Sequence, residues 1–160
     1  MTEIAFTYCR DALHTLLEGV TGYLTSANVA DNDHGVIDKG LDYAAVLSKG
    51  STETNPSAEG TVDRFYEVLV ECFKRYTTEA ETSDALEKFV DAVTAKIDEN
   101  PTLKGTPWIV ANGTLVTAVD EPLSILVRGA PAGSVPVFLM CTIHVQIEYH
   151  RRITGGEFRR

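Results

Sequence analysis

The residues that could do chemistry are few, and their spacing disarms most of them. His144, Glu148 and His150 share one face if their segment is a strand, and all three types can ligate a metal. Same-face neighbours on a strand stand ~7 Å apart, however, and no Cys or Asp motif completes a tetrahedral set. Asp31-Asn32-Asp33-His34-Gly35 is acidic enough for a calcium loop but lacks the alternating ligands and closing Glu of an EF-hand, so it reads as a solvated turn. Cys9, Cys72 and Cys141 are an odd number at wide spacings on apolar faces. They read as small buried hydrophobes, with no nucleophile elbow or cysteine-enzyme signature around them. Glu67 and Glu71, four apart, read as a solvated strip. Neither a dinucleotide fingerprint nor a phosphate loop occurs, and Asn112-Gly113-Thr114 reads as a hairpin turn although it matches a glycosylation sequon. No catalytic residue, metal or cofactor is expected.

The elements that would position these residues belong to a chain of 160 residues, 44% hydrophobic and 23% charged, with mean hydropathy −0.05. That is enough for one core and too apolar for wholesale disorder. No apolar run reaches the ~20 residues of a membrane-spanning helix. Met1-Thr2-Glu3 lacks the layout of a secretory signal, so a single-domain intracellular protein is expected, without a membrane partner. The net charge of −9 is uneven. Residues 1–100 carry 19 acids and 8 bases, and residues 101–160 carry 4 acids and 6 bases. The last ten residues hold Arg151, Arg152, Arg159 and Arg160 against Glu157. Such a chain can associate head to tail with its own copies, while its acidity weighs against tight binding of nucleic acid.

Glu3 to Val20 reads as an amphipathic helix with Ala5, Cys9, Ala12, Leu13, Leu16, Leu17 and Val20 on one stripe. Residues 21–40 lack periodicity. Tyr43 to Leu47 reads as a strand, and Ser48 to Gly60 as a long turn-rich loop. Thr61 to Tyr76 carries both helical and alternating spacing, and its β-branched and aromatic content favours a strand. Ser83 reads as the cap of a helix reaching Ile97 and stopped by Asn100-Pro101. Pro107–Ala111 and Thr114–Val119 then flank Asn112-Gly113 as a hairpin. Leu123 to Arg128 forms another strand, and Val135 to His150 closes the chain. Its Val137, Leu139, Cys141, Ile143, Val145, Ile147 and Tyr149 face the core, while the opposite face passes from apolar to polar. The fold expected is α+β: a mixed, mostly antiparallel β-sheet packed against two amphipathic helices, with a long projecting hairpin loop. One domain spans 1–150, with loop insertions at 21–41 and 48–60, and 151–160 forms a basic C-terminal tail.

This order of elements resembles the tail terminator proteins of long-tailed bacteriophages. The resemblance runs through the first helix (Ile4 to Val20), a strand (Tyr43 to Leu47), a loop (Gly50 to Gly60) and a strand (Phe65 to Phe73). It continues through a Ser-capped helix (Ser83 to Ile97) to a final Gln146-Ile147-Glu148-Tyr149-His150. The 21–40 connection, the 107–119 hairpin and the Arg-rich end depart from it as enlargements. The resemblance implies a structural virion protein of tail and neck, assembled in the host cytoplasm, with no enzymatic activity. It implies a ring, typically a hexamer, that caps the tail tube, stops its polymerisation and presents a docking surface to a head-completion connector, with DNA only in transit through the lumen. Under it, Gly50, Thr52, Glu53, Asn55 and Glu59 are assigned to the major tail tube protein, and Arg151, Arg152, Arg159 and Arg160 to a neighbouring subunit. Two other readings stay open: another neck or tail component such as a head-completion protein, and a small metal- or ligand-binding enzyme built on His144, Glu148 and His150.

Overall fold

Alternating side chains put the last strand at the centre of the molecule. The computed structural model of the chain describes residues 2–31, 40–55, 61–103, 105, 107–126, 129–131 and 133–152. Its elements in chain order are α1 (Thr2–Leu17), β1 (Val29–Asp31), β2 (Tyr43–Asn55), β3 (Thr61–Arg75), α2 (Glu79–Asp98), β4 (Ile109–Val119), β5 (Leu123–Ile125) and β6 (Phe138–Arg152). The sheet runs β1-β2-β3-β6-β4, and β5 also pairs with β6. β1 lies parallel to β2, and every other pairing is antiparallel. Both helices pack on one face. This is an α+β fold with a mixed sheet.

The helix-covered face is built by period two from the strands and by period 3.6 from the helices. Tyr66, Val68, Val70 and Cys72 of β3 and Leu139, Cys141, Ile143, Val145, Ile147 and Tyr149 of β6 are all buried there. They meet Phe6, Cys9, Leu13, Leu16 and Leu17 of α1 and Leu86, Phe89, Val90, Val93 and Ile97 of α2. Cys72 stands opposite Cys141 across β3 and β6, and all three cysteines are free and buried. Burial pushes the Cys9 thiol up to about 12 and raises Cys72 and Cys141 as well. That disfavours the thiolate a nucleophile would need. The other face holds a smaller apolar cluster at one end: Ala44, Val46, Phe73, Phe138 and Met140. Val137, expected in the main core, precedes β6 and packs against this second cluster.

Several boundaries differ from the sequence reading. The 48–60 loop is mostly strand, because β2 continues to Asn55 opposite Asp63, with an irregularity between Lys49 and Thr52. Lys49 and Ser51 in it are exposed, and 56–60 lies outside the described residues. β1 arises inside the 21–41 insertion, where Asn28 donates its side-chain amide to the carbonyls of Tyr23 and Tyr43 at 2.8 and 2.9 Å. α2 begins five residues before Ser83's first helical successor: Thr78 is its cap, accepting from the Glu81 N–H at 3.3 Å. Thr78-x-x-Glu81 is the half-box pattern that could have located it. The expected 107–119 hairpin is instead one bulged strand. Ile109 pairs with Tyr149 and Thr114 with Ile147, so five steps of β4 answer two of β6. Gly113 is buried in that bulge, where an added Cβ would stand 2.6 Å from the Val110 carbonyl oxygen. Asn-Gly therefore serves close approach rather than a turn. β6 runs past His150, so Arg151 and Arg152 are strand residues opposite Val62 and Thr61, not the start of a tail.

Candidate interaction surface

The face away from the helices carries the polar half of β3 and β6. Leu69 stands opposite His144, Glu67 opposite Gln146 and Phe65 opposite Glu148. Diagonal reach then brings His144 to Glu67. The His144 Nδ1 lies 3.0 Å from Glu67 Oε2, and Nε2 lies 3.0 Å from both carboxylate oxygens of Asp120. Asp120 directly follows β4; its N–H donates to the Thr142 carbonyl at 2.9 Å and its own carbonyl accepts from the Cys141 thiol at 3.0 Å. On the other side, Glu67 accepts from the Ser51 N–H at 3.1 Å and from its hydroxyl at 3.4 Å. The Asp120 and Glu67 carboxylates hold the His144 imidazolium above the ordinary histidine range, against the pull of burial. The Ser51 N–H, then His144, hold Glu67 below the ordinary carboxylate range. The cluster ties β2, β3, β6 and the β4–β5 turn across the open face.

Gly50 belongs to this cluster through what it lacks. It sits at the β2 irregularity, and a Cβ there would fall inside the Glu67 carboxylate. Of the other expected contact residues, Thr52, Glu53 and Asn55 form the end of β2, opposite Tyr66, Phe65 and Asp63. Glu59, Arg159 and Arg160 lie outside the described residues. Asp63 in turn pairs with His150, next to Arg151. The structure thus brings two groups expected on separate contacts to one end of the sheet, with the start of β3 between them.

His144, Glu148 and His150 do share a face, but they do not converge. His144 turns to Glu67 and Asp120, which occupy opposite ring nitrogens and so cannot join it around one ion. The His150 N–H donates to the Trp108 carbonyl at 2.9 Å. Among the described residues no group of three His, Cys, Asp or Glu side chains could hold a metal ion. Asp120 was missed by the sequence reading, since nothing in its spacing connects it to Glu67, and Glu67 was read only as part of a solvated strip.

A second feature is a set of exposed apolar side chains on β4 and β5 and in the segment that follows them. Among the described residues six large apolar side chains are exposed, and five of them are Leu115, Val119, Leu123, Leu126 and Val135. The sixth, Trp108, packs against Tyr8 and Tyr149 with a left-handed backbone of φ 68°. No helix is long and apolar enough to cross a membrane among the described residues.

The fold defines an α+β protein with one mixed sheet and two helices on one face. No protein-family description and no curated protein matches the chain. Among solved structures it is similar to a chain from the virion of a native gene transfer agent particle, at 10% identity over 92% of each chain with a TM-score of 0.40.

Proposed function

We propose that the chain is a structural virion protein of the tail terminator type: a ring of copies, six by the resemblance, that caps a phage tail tube, stops its growth and docks a head-completion connector. The observation that carries the reading is the order of elements. A first amphipathic helix, a long hairpin, a capped second helix and a long alternating last strand follow one another as in that family, and the last strand sits beside β3 at the sheet's centre. Heterologous self-association is supported by the aliphatic side chains exposed on and near β4 and β5. The hairpin end of the sheet, with Gly50, Thr52, Glu53 and Asn55, is assigned to the tube, and Arg151 and Arg152 to a neighbouring copy. Acidic ring walls would let DNA pass without adhering.

The test is assembly. Purified chain is mixed with a polymerising tail tube protein from the same genome, and tube length and end structure are read by electron microscopy. Capped, shortened tubes bearing a ring are expected, with a monomer or weak oligomer when the chain is alone. Tubes that grow unchanged at saturating chain overturn the terminator reading, and rings that bind a portal-side connector but ignore the tube favour the head-completion alternative.

A further inference from the structure

We propose that His144 is a pH-operated clasp, holding the β4–β5 turn to the middle of the sheet through Asp120 and releasing it when the ring loses one of its two protons.

The argument is one of donors and acceptors. Both ring nitrogens face carboxylates at 3.0 Å, Glu67 on Nδ1 and Asp120 on Nε2. Ionised carboxylates only accept, so a ring that keeps both contacts must carry hydrogen on both nitrogens. A neutral imidazole has one N–H, and its other nitrogen then turns a lone pair toward a carboxylate. One arm must open.

The arm free to open is Asp120. Glu67 keeps the Ser51 N–H and hydroxyl whatever His144 does. The Asp120 side chain is 55% exposed, against 27% for Glu67, and among the described residues its carboxylate has no other hydrogen-bond partner. The neutral ring therefore keeps its proton on Nδ1 and lets Asp120 swing to water. What remains at the turn is the Asp120 N–H bond to Thr142 and the Cys141 thiol contact.

The surroundings set the direction. Glu71 from β3, Glu148 from β6 and Glu121 beside Asp120 are acidic. Ser48 and Ser51 from β2, Leu69 from β3, Gln146 and Thr142 from β6, and Thr117 and Ala118 from β4 are uncharged. Further along β6 come His150, three same-face positions away, and the arginines Arg151 and Arg152 that end the strand. The ring thus stands among carboxylates, and its charged form is held above the usual histidine range by Asp120 first and Glu67 second. His14 offers an internal contrast. Its Nδ1 is 2.8 Å from Asp31, but its Nε2 is 3.8 Å from Glu18, beyond hydrogen-bond reach. One N–H satisfies that site, so no clasp opens there.

The test follows the imidazole carbons of the full chain by NMR across pH 5 to 9, alongside amide exchange at the β4–β5 turn. His144 should titrate above the ~6.5 of a free histidine. D120N and E67Q should each lower its midpoint while leaving the His14 signal in place. In the wild-type chain the Asp120 amide should exchange faster above the His144 midpoint than intrinsic chemistry accounts for, by up to about tenfold for each unit the midpoint exceeds the free value. H144Q should abolish that excess. A wild-type midpoint at or below the free value, or an Asp120 amide that follows intrinsic chemistry throughout, overturns the clasp. So does a His144 midpoint that moves with neither D120N nor E67Q.

Discussion

The two faces of the sheet are held by different physics. Under the helices, the odd positions of β6 from Leu139 to Tyr149 and the even positions of β3 from Tyr66 to Cys72 are apolar and almost wholly buried. Tyr66, Val68, Val70, Ile143, Val145 and Ile147 each expose nothing measurable. On the open face the same strands carry Glu67, Glu71, Thr142, His144, Gln146 and Glu148, all half-buried. Away from the small apolar cluster at one end, cohesion there depends on a few directed polar contacts. Burial free energy scales with area, at about 25 cal/mol per Å², whereas a hydrogen bond nets only about 1 kcal/mol after its competition with water. The covered face therefore confers stability, and the open face can be altered without unfolding the molecule.

The strongest way to break this contrast is to truncate both faces equally. Ile143→Ala should cost about 2–5 kcal/mol, by lost transfer and an unfilled cavity, whereas its open-face neighbour His144→Ala should cost well under half as much. Urea denaturation of the two variants measures the ratio, and equal losses would abolish the distinction. Next in size is a pair of glycines. Gly113→Ala sets a Cβ against the Val110 backbone, which cannot rotate away, and should cost about 1–3 kcal/mol as overpacking does. Gly50→Ala meets only the movable Glu67 carboxylate. Its expected effect is smaller in stability but specific in kind: it should displace Glu67 from His144 and lower the His144 midpoint. Thr78→Ala, removing the α2 cap, should cost about 1 kcal/mol on the covered side without touching that midpoint.

The smallest effect is the pH dependence of the open face itself, and its sign is determined. The folded His144 midpoint is raised, so its contribution is complete below the unfolded ~6.5 and is lost as pH rises through the folded value. The folded Glu67 midpoint is lowered, so its contribution is present above the unfolded ~4.3 and is lost as pH falls through the folded value. Both act together in mildly acidic solution. Thermal melts should show the wild-type chain losing stability relative to H144Q between pH 6 and pH 8. A flat difference would mean the open face contributes nothing by charge.

The legible parts of the chain were those where one period dominates. The alternation of β6 from Leu139 to Tyr149, the stripe of α1 and the buried row of α2 all follow from side-chain type alone. Thr61 to Tyr76, which fits two periods, was resolved correctly by its β-branched and aromatic content. Where local chemistry misled, a distant partner overrode it. Asn112-Gly113 is a strong turn signal, yet β6 pairs with the chain on both sides of it and converts the turn into a bulge. Ser48 to Asn55 looks like a loop because it is polar, yet β3 offers it a ladder from Ser48 to Asn55. Val29–Asp31 is too short to show a period at all and exists as a strand through its pairing with β2. The polar cluster is the extreme case: Glu67, Asp120 and His144 are separated by 53 and 24 positions and share no motif.

By itself, then, the sequence determined the buried rows of α1, α2 and β6 from Leu139 to Tyr149, because hydrophobic period is a local property that any surrounding must respect. It also determined that the cysteines would be shielded and that the last strand would carry one apolar and one mixed face. Only the tertiary structure decided which strands adjoin, since pairing register depends on residues far apart in the chain. With the register came the position of His144 between two carboxylates, the space Gly50 leaves for one of them, and the meeting of Asn55 and Arg151 at one end of the sheet on either side of β3.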